Sequence, residues 1–393
     1  MIIREIEHRI KALSQQFPVV ILTGARQTGK TTLLKSAFPD YNYVSLDLPS
    51  VAEQAEKNPD EFLAAHVPPL IIDEIQYAPA IFRHIKQVVD GNRTLMGQFI
   101  LTGSQKFPLM KEVSDSLAGR SVWLELETCS YSEISLFAKL GLGDLVLLLT
   151  RGLYPELWRM QDINAHDFYR SYLATYLERD VRQILRVTSL RDFERFIRIL
   201  ASRSGQLLNK SEIAKEVGVS VKTIGDWISV LEASNIVYLL EPFYQNFGKR
   251  IAKSPKAYFN DTGLVCFLLG VYPDNLATTP FLGALWETLI FAELRKRNVV
   301  TERPKNIWFY RDQFANEIDF VLESGGTLSF IETKWTETPS SKALQTIKKI
   351  DDDLRRSQKL ASGSHYLLCR TPACYTKEGV RIINIDGLSE VFG

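Results

Sequence analysis

The sequence predicts an α/β fold with a parallel sheet in its first 130 residues. Short apolar segments alternate with helical patterns from residue 17 to residue 130, which is typical of parallel strands joined by helices on both faces of a sheet. One segment runs into a glycine-bounded loop, GARQTGKT, and another ends on two carboxylates, PLIIDE. Since ligands bind at the carboxyl ends of the strands in such sheets, both features are expected at one ligand site.

The elements of this region follow one another at short intervals. Residues 1–16 alternate charged and apolar residues at helical spacing, which predicts an amphipathic first helix rather than a signal peptide. An apolar strand then precedes the glycine loop, and the stretch after the loop is helical. The further predicted strands are 43–46, 69–74, 98–102 and 122–126, and the further predicted helices are 53–66 and 79–93.

The glycine-bounded loop matches a phosphate-binding pattern. Gly24, Gly29, Lys30 and Thr31 fill G-x-x-x-x-G-K-[ST] without a mismatch. In this pattern backbone N–H groups surround phosphate oxygens, Lys30 reaches the β- and γ-phosphates, and the Thr31 hydroxyl coordinates Mg²⁺. The pattern therefore predicts ATP and Mg²⁺ as cofactors. The residues predicted to bind the nucleotide form one run: Gly24, Ala25, Arg26, Gln27, Thr28, Gly29, Lys30, Thr31 and Thr32.

Polar residues after the neighbouring strands complete the predicted catalytic set. Asp73 is expected to hold the Mg²⁺, directly or through water, and Glu74 to polarise the attacking water. Thr102 or Ser104, at the end of strand 98–102, is a candidate contact to the γ-phosphate. Arg120 has two interpretations. It is either an arginine that crosses a subunit boundary to a neighbour's γ-phosphate, or an ordinary surface cation.

Composition limits the remaining possibilities. The 393 residues suggest two or three domains, and the formal net charge of +1 means that any nucleic-acid surface must be a local patch. Four scattered cysteines and five histidines fit neither a disulfide framework nor a metal-ligand spacing. We therefore expect a cytoplasmic protein without structural metal. No apolar run is long enough to cross a bilayer, so no membrane partner is expected.

Four motifs in this order, GARQTGKT, LIIDEIQ, ILTGS and SLAGR, resemble those of the AAA+/STAND-like ATPases of bacteria and archaea. In these proteins the ATPase is joined to a C-terminal domain long labelled as of unknown function, and the resemblance extends over the whole chain. It implies an AAA-type P-loop NTPase domain at 1–150, a helical region at 151–250 and a restriction-endonuclease-like α/β domain at 251–393. It also implies a closed ring of identical subunits, with a hexamer or a dimer of trimers as the expected size.

Residues 205–245 have the spacing of a winged helix-turn-helix. A first helix capped by Ser211 and a second capped by Ser220 precede a predicted strand. Lys222 and Thr223, at the start of the second helix, would face base edges or phosphates of DNA. The same fold also serves as a protein–protein joint, and both alternatives stay open. A basic loop follows, and its candidate DNA contacts are Lys249, Arg250 and Lys253.

Gly325-Gly326 predicts a two-residue hairpin turn between two alternating strands. With that turn, the register places Asp319 opposite Glu332. Glu317 then lies opposite Lys334, and all four side chains share one face. Two carboxylates placed opposite one another repel, and a shared Mg²⁺ is a usual reason for such a pair.

This arrangement on a hairpin resembles the PD-(D/E)XK nuclease fold. The resemblance implies that Asp319 and Glu332 bind metal and that Lys334 assists the hydrolytic water. Glu287, on the preceding predicted helix, matches the additional acidic position of that fold. The alternative is a cross-strand salt bridge between Glu317 and Lys334, with Asp319 solvated.

Three functions are compatible with these features. The leading hypothesis is a Mg²⁺-dependent ATPase that couples ATP binding and hydrolysis to the binding or remodelling of branched or double-stranded DNA. The second is a STAND-like switch, in which the nucleotide state controls the binding of a protein partner with little turnover. The third is an ATP-regulated, Mg²⁺-dependent nuclease. Stimulation of turnover by DNA separates the first from the second, and DNA cleavage that depends on Asp319 identifies the third.

Overall fold

The computed structural model describes residues 1–104, 116–176, 190–243, 254–358 and 361–392, which divide into two units. The first unit consists of Met1–Cys129 with two short additions, Tyr154–Arg159 and Ala233–Asn235. The second unit consists of Ser130–Leu153, Met160–Glu232 and Ile236–Gly393. The domain limits predicted at residues 150 and 250 stay predictions.

A parallel sheet of five strands forms the centre of the first unit. Its strands are β1 (Val19–Thr23), β2 (Asn42–Ser45), β3 (Leu70–Asp73), β4 (Phe99–Gly103) and β5 (Ser121–Glu125). The order across the sheet is β2-β3-β4-β1-β5, and every neighbouring pair is parallel. All residues of β1, β3 and β4 are buried, as expected for a sheet covered on both faces. The predicted parallel α/β sheet is confirmed.

Five helices belong to the N-terminal part of this unit. They are α1 (Ile6–Ser14), α2 (Lys30–Ala37), α3 (Pro49–Lys57), α4 (Pro59–Ala65) and α5 (Ile81–Gly91). The single helix predicted at 53–66 is wrong. Asn58 ends α3 and Pro59 begins α4, because proline lacks the N–H that would continue a helix but is tolerated in the first turn of a new one. Phe62 of α4 and Phe82 of α5 are buried in the same core.

The chain continues through a helical region. Its helices are α6 (Tyr131–Ala138), α7 (Leu145–Arg151), α8 (Pro155–Arg159), α9 (Ala165–Tyr176) and α10 (Leu190–Ala201). α8 belongs to the first unit and the other four to the second. Ser130 begins α6 with a capping box, in which its hydroxyl accepts the Glu133 N–H at 3.1 Å and the Glu133 carboxylate accepts the Ser130 N–H at 2.9 Å.

Two helices joined by a tight turn and a small antiparallel sheet follow. The elements are β6 (Gln206–Leu207), α11 (Lys210–Val217), α12 (Val221–Ala233), β7 (Val237–Leu240) and β8 (Lys256–Phe259), with the sheet order β6-β8-β7. Gly218 ends α11 at a φ of +89°, a left-handed conformation that glycine adopts without steric penalty.

The helix caps of this region differ in part from the prediction. Ser220 caps α12 as predicted, since its hydroxyl accepts a backbone N–H at 3.0 Å. The cap predicted at Ser211 is wrong, because the side chain of Asn209 accepts the backbone N–H at 3.1 Å instead. Asparagine is at least as good a cap as serine, and Asn209 directly precedes α11. The predicted basic-loop contacts Lys249, Arg250 and Lys253 lie outside the described residues.

The C-terminal part of the second unit contains a mixed sheet. The helices of this part are α13 (Thr262–Leu269), α14 (Leu282–Val300) and α15 (Ser341–Gln358). The strands of the sheet are β9 (Asn306–Arg311), β10 (Glu317–Ser324), β11 (Thr327–Thr333), β12 (Ala361–Ser362), β13 (Tyr366–Leu368), β14 (Tyr375–Lys377) and β15 (Val380–Ile383). The order is β14-β15-β13-β11-β10-β9, with β12 pairing with β11. β9, β10 and β11 form an antiparallel meander, and β13 continues the sheet parallel to β11.

The hairpin of β10 and β11 has the predicted turn and register. Gly325 and Gly326 lie between the strands at φ values of +57° and +79°, which a type I′ turn requires. Ser324 pairs with Thr327 and Phe320 with Ile331. Within the described ranges, none of the helices combines the length and apolar character needed to cross a lipid bilayer.

We expect Phe330→Ala to destabilise the second unit by about 3–5 kcal/mol, because Phe330 of β11 is fully buried in its core and stacks on His365 at 4.7 Å. Amide hydrogen exchange measures the effect by segment. Protection should fall across residues 317–333 and stay unchanged in β1, which belongs to the first unit. Phe314→Ala is the matched control, because Phe314 is 77% exposed and its loss should change the free energy of unfolding by under about 0.5 kcal/mol. Equal effects of both substitutions would contradict this account of the core.

Candidate functional site

The phosphate loop connects β1 to α2 at the carboxyl edge of the first sheet. Glycine is required at two of its positions. A Cβ on Gly24 would lie 2.0 Å from the Leu126 carbonyl oxygen, which follows β5. Gly29 begins α2 at a φ of +91°. The loop is therefore pressed against the end of β5 and opens onto the N-terminus of α2, where backbone N–H groups are available for phosphate oxygens.

Lys30 is folded back onto its own loop. Its ammonium donates hydrogen bonds to the carbonyl oxygens of Gly24 at 2.9 Å and Ala25 at 3.0 Å, and the residue is only 6% exposed. These carbonyl oxygens stabilise the positive charge of the buried ammonium. Lys30 thus lies within the loop, as the phosphate-binding pattern predicts.

Asp73 is the centre of a hydroxyl network at the end of β3. The Thr31 hydroxyl donates to its Oδ2 at 2.6 Å and the Tyr43 hydroxyl to the same atom at 2.9 Å. The Thr102 hydroxyl donates to its Oδ1. Burial and the adjacent Asp73 charge raise the pKa of Tyr43, so its hydroxyl stays a donor. Asp73 and Thr31 are brought together as the sequence predicts, whereas the contributions of Tyr43 and Thr102 to this network were not predicted.

Glu74 directly follows β3 in a left-handed conformation with φ of +56°. Its carboxylate accepts hydrogen bonds from the Gln76 side-chain amide and from the Ser104 hydroxyl, the latter at 3.3 Å. Of the two candidates at the end of β4, Ser104 contacts Glu74 through its side chain, while Thr102 contacts Asp73. The predicted carboxylates and Ser104 therefore lie together, and their catalytic roles stay predictions.

Arg4 is a further residue of this site that sequence reasoning missed. Its guanidinium is buried and donates to the Thr28 carbonyl at 2.7 Å. It also donates to the carbonyls of Glu127 at 2.8 Å and Thr128 at 3.2 Å, just after β5. Arg4 therefore fixes the phosphate loop to the segment after β5. In the sequence Arg4 is one of several charged residues of the amphipathic N-terminal stretch, and this pattern does not indicate its partner.

A cavity of about 700 Å³ lies beside the phosphate loop in the first unit. The loop residues Gln27, Thr28 and Gly29 form one wall. The N-terminal segment 1–7 and the residues Pro155, Glu156 and Arg159 of α8 form the others. Its volume lies in the range of small-molecule sites, which is about 300–1,000 Å³.

Arg120 lies at the opposite edge of the sheet from the phosphate loop. It directly precedes β5, and its carbonyl accepts the N–H of Val19, the first residue of β1. Its guanidinium donates to both Asp90 oxygens, at 2.7 and 3.0 Å, and Arg93 donates to the same carboxylate at 3.0 Å. Hydrogen bonding to Arg120 lowers the pKa of Asp90 to about 2. Arg120 does not contact the loop of its own chain, so the two interpretations of this residue stay open.

The predicted nuclease-like residues converge in the second unit. Asp319 accepts hydrogen bonds from the Thr333 N–H at 2.8 Å and the Thr333 hydroxyl at 2.9 Å. Lys334 donates to Glu332 at 2.7 Å. Glu287, on α14, accepts hydrogen bonds from the Tyr258 hydroxyl at 2.5 Å and from a buried lysine of β8. This group is called the carboxylate cluster below, with the members Glu287, Glu317, Asp319 and Glu332.

The alternative of a Glu317–Lys334 salt bridge is wrong. Glu317 contacts Arg311 at 3.1 Å and the buried Lys256 at 2.5 Å, whereas Lys334 contacts Glu332. Asp319 is 7% exposed rather than solvated. The contacts of Lys256 with these carboxylates were not predicted, because Lys256 is distant from them in sequence.

Among the residues that the structure describes, no group of three or more His, Cys, Asp or Glu side chains is arranged to hold a metal ion.

The carboxylates of the cluster raise one another's pKa values. Burial and the charge of Asp319 raise the pKa of Glu287 to about 7, against the opposing effect of Lys256. Burial and the same Asp319 charge raise the pKa of Glu332 to about 8, against the opposing effect of Lys334. Glu287 and Glu332 therefore hold their protons to higher pH than ordinary carboxyl groups, which reduces the negative charge of the cluster near neutral pH.

The predicted DNA contacts of α12 lie at its N-terminal end. Lys222 is exposed and Thr223 is half-buried, while Ile224 and Ile228 of the same helix are buried. Asp226 is also exposed on this helix. The helix thus presents a polar face with charges of both signs.

The chain is similar to known proteins over most of its length. A family model described as an AAA domain matches residues 16–135, and two models described as domains of unknown function match residues 142–275 and 282–388. Uncharacterized protein Rv2008c of Mycobacterium tuberculosis is 31% identical over 366 residues, which make up 92% of this chain and 80% of that protein. The chain belongs to the same family.

More distant similarities exist for sequence and structure. Uncharacterized protein MJ1544 of Methanocaldococcus jannaschii is 23% identical over 383 residues, covering 90% of this chain and 82% of that protein. The Walker-type ATPase PABY2304 of Pyrococcus abyssi aligns with a TM-score of 0.47 and 13% identity, covering 68% of this chain and 96% of that chain. The AAA-domain match, the parallel strand order and the phosphate loop together give the first unit the fold of a P-loop ATPase.

We expect Lys30→Ala to abolish ATP binding at micromolar nucleotide concentrations, since the loop would lose the cation that reaches the phosphates. Lys35→Ala is the matched control, because Lys35 lies on the same helix but is exposed and stacks over the Tyr43 ring at 3.8 Å. Binding of a fluorescent ATP analogue to purified protein measures both. Binding that survives Lys30→Ala would overturn the assignment of this loop.

We expect the stability of the second unit to fall as the pH rises from about 4.5 to about 8. The folded pKa values of Glu287 and Glu332 are raised to about 7 and about 8. Stability from such carboxyls is complete below the unfolded pKa and is lost as the pH rises through the folded pKa. Glu332→Gln should make this pH-dependent loss in the free energy of unfolding smaller by about 2–4 kcal/mol.

The control for this prediction is Glu378→Gln. Lys348 lowers the pKa of the exposed Glu378, so this residue titrates below the pH range in question. Hydrogen exchange of β10 and β11 at pH 5 and pH 8.5 measures the effect. A pH dependence that is the same in the unsubstituted chain and in Glu332→Gln would contradict the assigned titration.

Proposed function

We propose that the chain is a Mg²⁺-dependent ATPase that uses ATP turnover to bind or remodel DNA as a ring of identical subunits. The observation that carries the ATPase part is the 2.6 Å contact between the Thr31 hydroxyl and the Asp73 carboxylate at the end of β3. Hydroxyl and carboxylate oxygens are the ligands that Mg²⁺ prefers, so these residues fit the metal that accompanies ATP.

Each residue of the site has a distinct task in this proposal. Mg²⁺, when bound, would neutralise part of the negative charge of the phosphates. Lys30 leaves the carbonyls of Gly24 and Ala25 and binds the phosphate oxygens. Glu74 orients the attacking water and accepts its proton, and the Ser104 hydroxyl, 3.3 Å from the Glu74 carboxylate, keeps that carboxylate in position.

The cavity beside the phosphate loop is proposed to take the nucleoside part of ATP. It adjoins Thr28 and Gly29, which precede the phosphate-binding N-terminus of α2. Apolar side chains, including Ile2, Leu33 and Pro155, line it together with the polar Glu7 and Glu156. Apolar walls with a few polar groups are typical of sites that bind small planar molecules.

Arg120 is proposed to act on the nucleotide of a neighbouring subunit. β1 is five residues long, so roughly 16 Å separate Arg120 from the phosphate loop of its own chain. A residue at that edge reaches a nucleotide only across a subunit boundary. Contacts of this head-to-tail kind close into rings when the rotation between subunits allows it.

We expect Arg120→Ala to lower kcat for ATP by about 10³-fold or more while leaving ATP binding unchanged, because arginines in this role stabilise transition-state charge. Arg93→Ala is the matched control, since Arg93 binds the same Asp90 carboxylate but is not the proposed trans-acting group. Steady-state ATPase rates measure both. A mixture of Lys30→Ala and Arg120→Ala subunits should regain activity, because some sites then combine an intact loop with an intact neighbouring arginine. Equal losses in Arg93→Ala and Arg120→Ala would contradict the proposed role.

The DNA part of the proposal is supported by the two helices α11 and α12. They are joined by a tight turn and followed by an antiparallel pair of strands, which is an arrangement that inserts its second helix into the major groove. Lys222 and Thr223 lie on the first turn of that helix, where phosphates and base edges are contacted. Because Asp226 is exposed on the same helix, the proposed binding depends on a few phosphate contacts rather than on a strongly basic surface.

We expect ATP turnover to rise several-fold with branched or duplex DNA. Lys222→Ala should weaken DNA binding and reduce the slope of log affinity against log salt by about 1, as expected for one lost phosphate contact. Lys57→Ala is the control, because Lys57 lies on α3 of the first unit and pairs with Glu53. Fluorescence anisotropy across a salt series measures binding. If no DNA shape changes turnover while Lys30→Ala still abolishes it, the ATPase stands and the second hypothesis, a switch acting on a protein partner, replaces the DNA role.

A further inference from the structure

A buried ammonium group lies inside the carboxylate cluster of the second unit. Lys256 belongs to β8, and its side chain is 3% exposed. Its Nζ lies 2.9 Å from Glu287 Oε1 and 2.5 Å from Glu317 Oε1. The Phe309 ring lies 5.5 Å from the same nitrogen. A lysine buried to this degree is stable as a cation only because it is paired with carboxylates.

The cations that contact the cluster nearly balance its charge. In the described residues three cations contact three of its four carboxylates: Lys256 contacts Glu287 and Glu317, Arg311 contacts Glu317, and Lys334 contacts Glu332. With all four carboxylates ionised, one negative charge is in excess. A divalent ion added to this set would leave a net positive charge in a buried site, which is unfavourable. Without Lys256, two negative charges would remain, and one divalent ion would neutralise them.

One oxygen of each of the two carboxylates assigned to metal by the nuclease resemblance is engaged by hydrogen bonds within the protein. Asp319 Oδ2 accepts both the N–H and the hydroxyl of Thr333. Glu332 Oε1 accepts from Lys334, while its Oε2 is buried without a hydrogen-bond partner. In the described residues no group of three or more His, Cys, Asp or Glu side chains is arranged to hold a metal ion. The residues therefore do not fit a resident Mg²⁺ in this arrangement.

We propose that the ammonium of Lys256 replaces a divalent cation in the carboxylate cluster, so that the chain holds no metal there until Lys256 is removed. The cluster then serves as a network of ion pairs that joins β8, beside the α11–α12 helices, to the hairpin of β10 and β11. This assignment excludes metal-dependent cleavage by these carboxylates in the unsubstituted protein. It does not depend on ATP hydrolysis or on DNA binding.

The proposal is tested by counting bound Mn²⁺ by electron paramagnetic resonance in the full-length, nucleotide-free protein. Lys256→Met should gain one Mn²⁺ per chain with an affinity at least tenfold above that of the unsubstituted chain. The double substitution Lys256→Met with Asp319→Asn should lose this gain. The single substitution Asp319→Asn should leave Mn²⁺ binding unchanged, because the unsubstituted cluster holds no metal.

Two controls separate charge from packing. Lys256→Arg keeps the positive charge and should gain no Mn²⁺. Lys348→Met breaks an exposed ion pair with Glu378 of 2.9 Å and should also gain none. Mn²⁺ bound by the unsubstituted chain and lost on Asp319→Asn would overturn the proposal. So would Mn²⁺ binding by Lys256→Met that is no tighter than that of the unsubstituted chain.

If Lys256→Met folds poorly, a second measurement still tests the proposal. The substitution leaves buried carboxylates without their cation, so the second unit is expected to lose stability. In that case Mn²⁺ should restore cooperative thermal unfolding to Lys256→Met and should not restore it to the double substitution with Asp319→Asn. The proposal would be contradicted if Mn²⁺ restored cooperative thermal unfolding to neither variant.

Discussion

The nucleotide site depends on the hydrogen bonds that the Asp73 carboxylate accepts. Hydroxyl groups from α2, β2 and β4 converge on its two oxygens, so three separate elements are held at the end of β3. Three hydroxyl donors fix the orientation of this buried carboxylate. A fixed orientation presents its oxygens to a metal ion, and the strand order of the parallel sheet brings these donors together.

Local patterns were sufficient for the phosphate loop and for the hairpin register. The loop motif lies within one short segment, and its glycines are required by close approach and by backbone conformation. The register of β10 and β11 follows from a two-residue turn and the alternation of side chains along each strand, so the pairing of Phe320 with Ile331 was predictable. Both predictions depend on residues close together in sequence.

Contacts between distant segments could not be predicted in this way. Arg4 reaches carbonyls that lie 24 and 123 residues further along the chain. Lys256 reaches a carboxylate 31 residues away, on a helix that packs against its strand. The charged end of a lysine or arginine side chain can lie in solvent or contact a buried partner, and the neighbouring sequence is compatible with both. Only the packing of whole elements decides between the two. The alternative of a salt bridge between Glu317 and Lys334 was wrong for this reason.

β5 connects the two edges of the first sheet. At its start, the Arg120 guanidinium is bound to the Asp90 carboxylate, and just beyond its end the Leu126 carbonyl presses against Gly24. The strand is extended and hydrogen-bonded to β1 along its whole length. A displacement of Arg120 along the strand direction would therefore shift the carbonyl group that forms one wall of the phosphate loop.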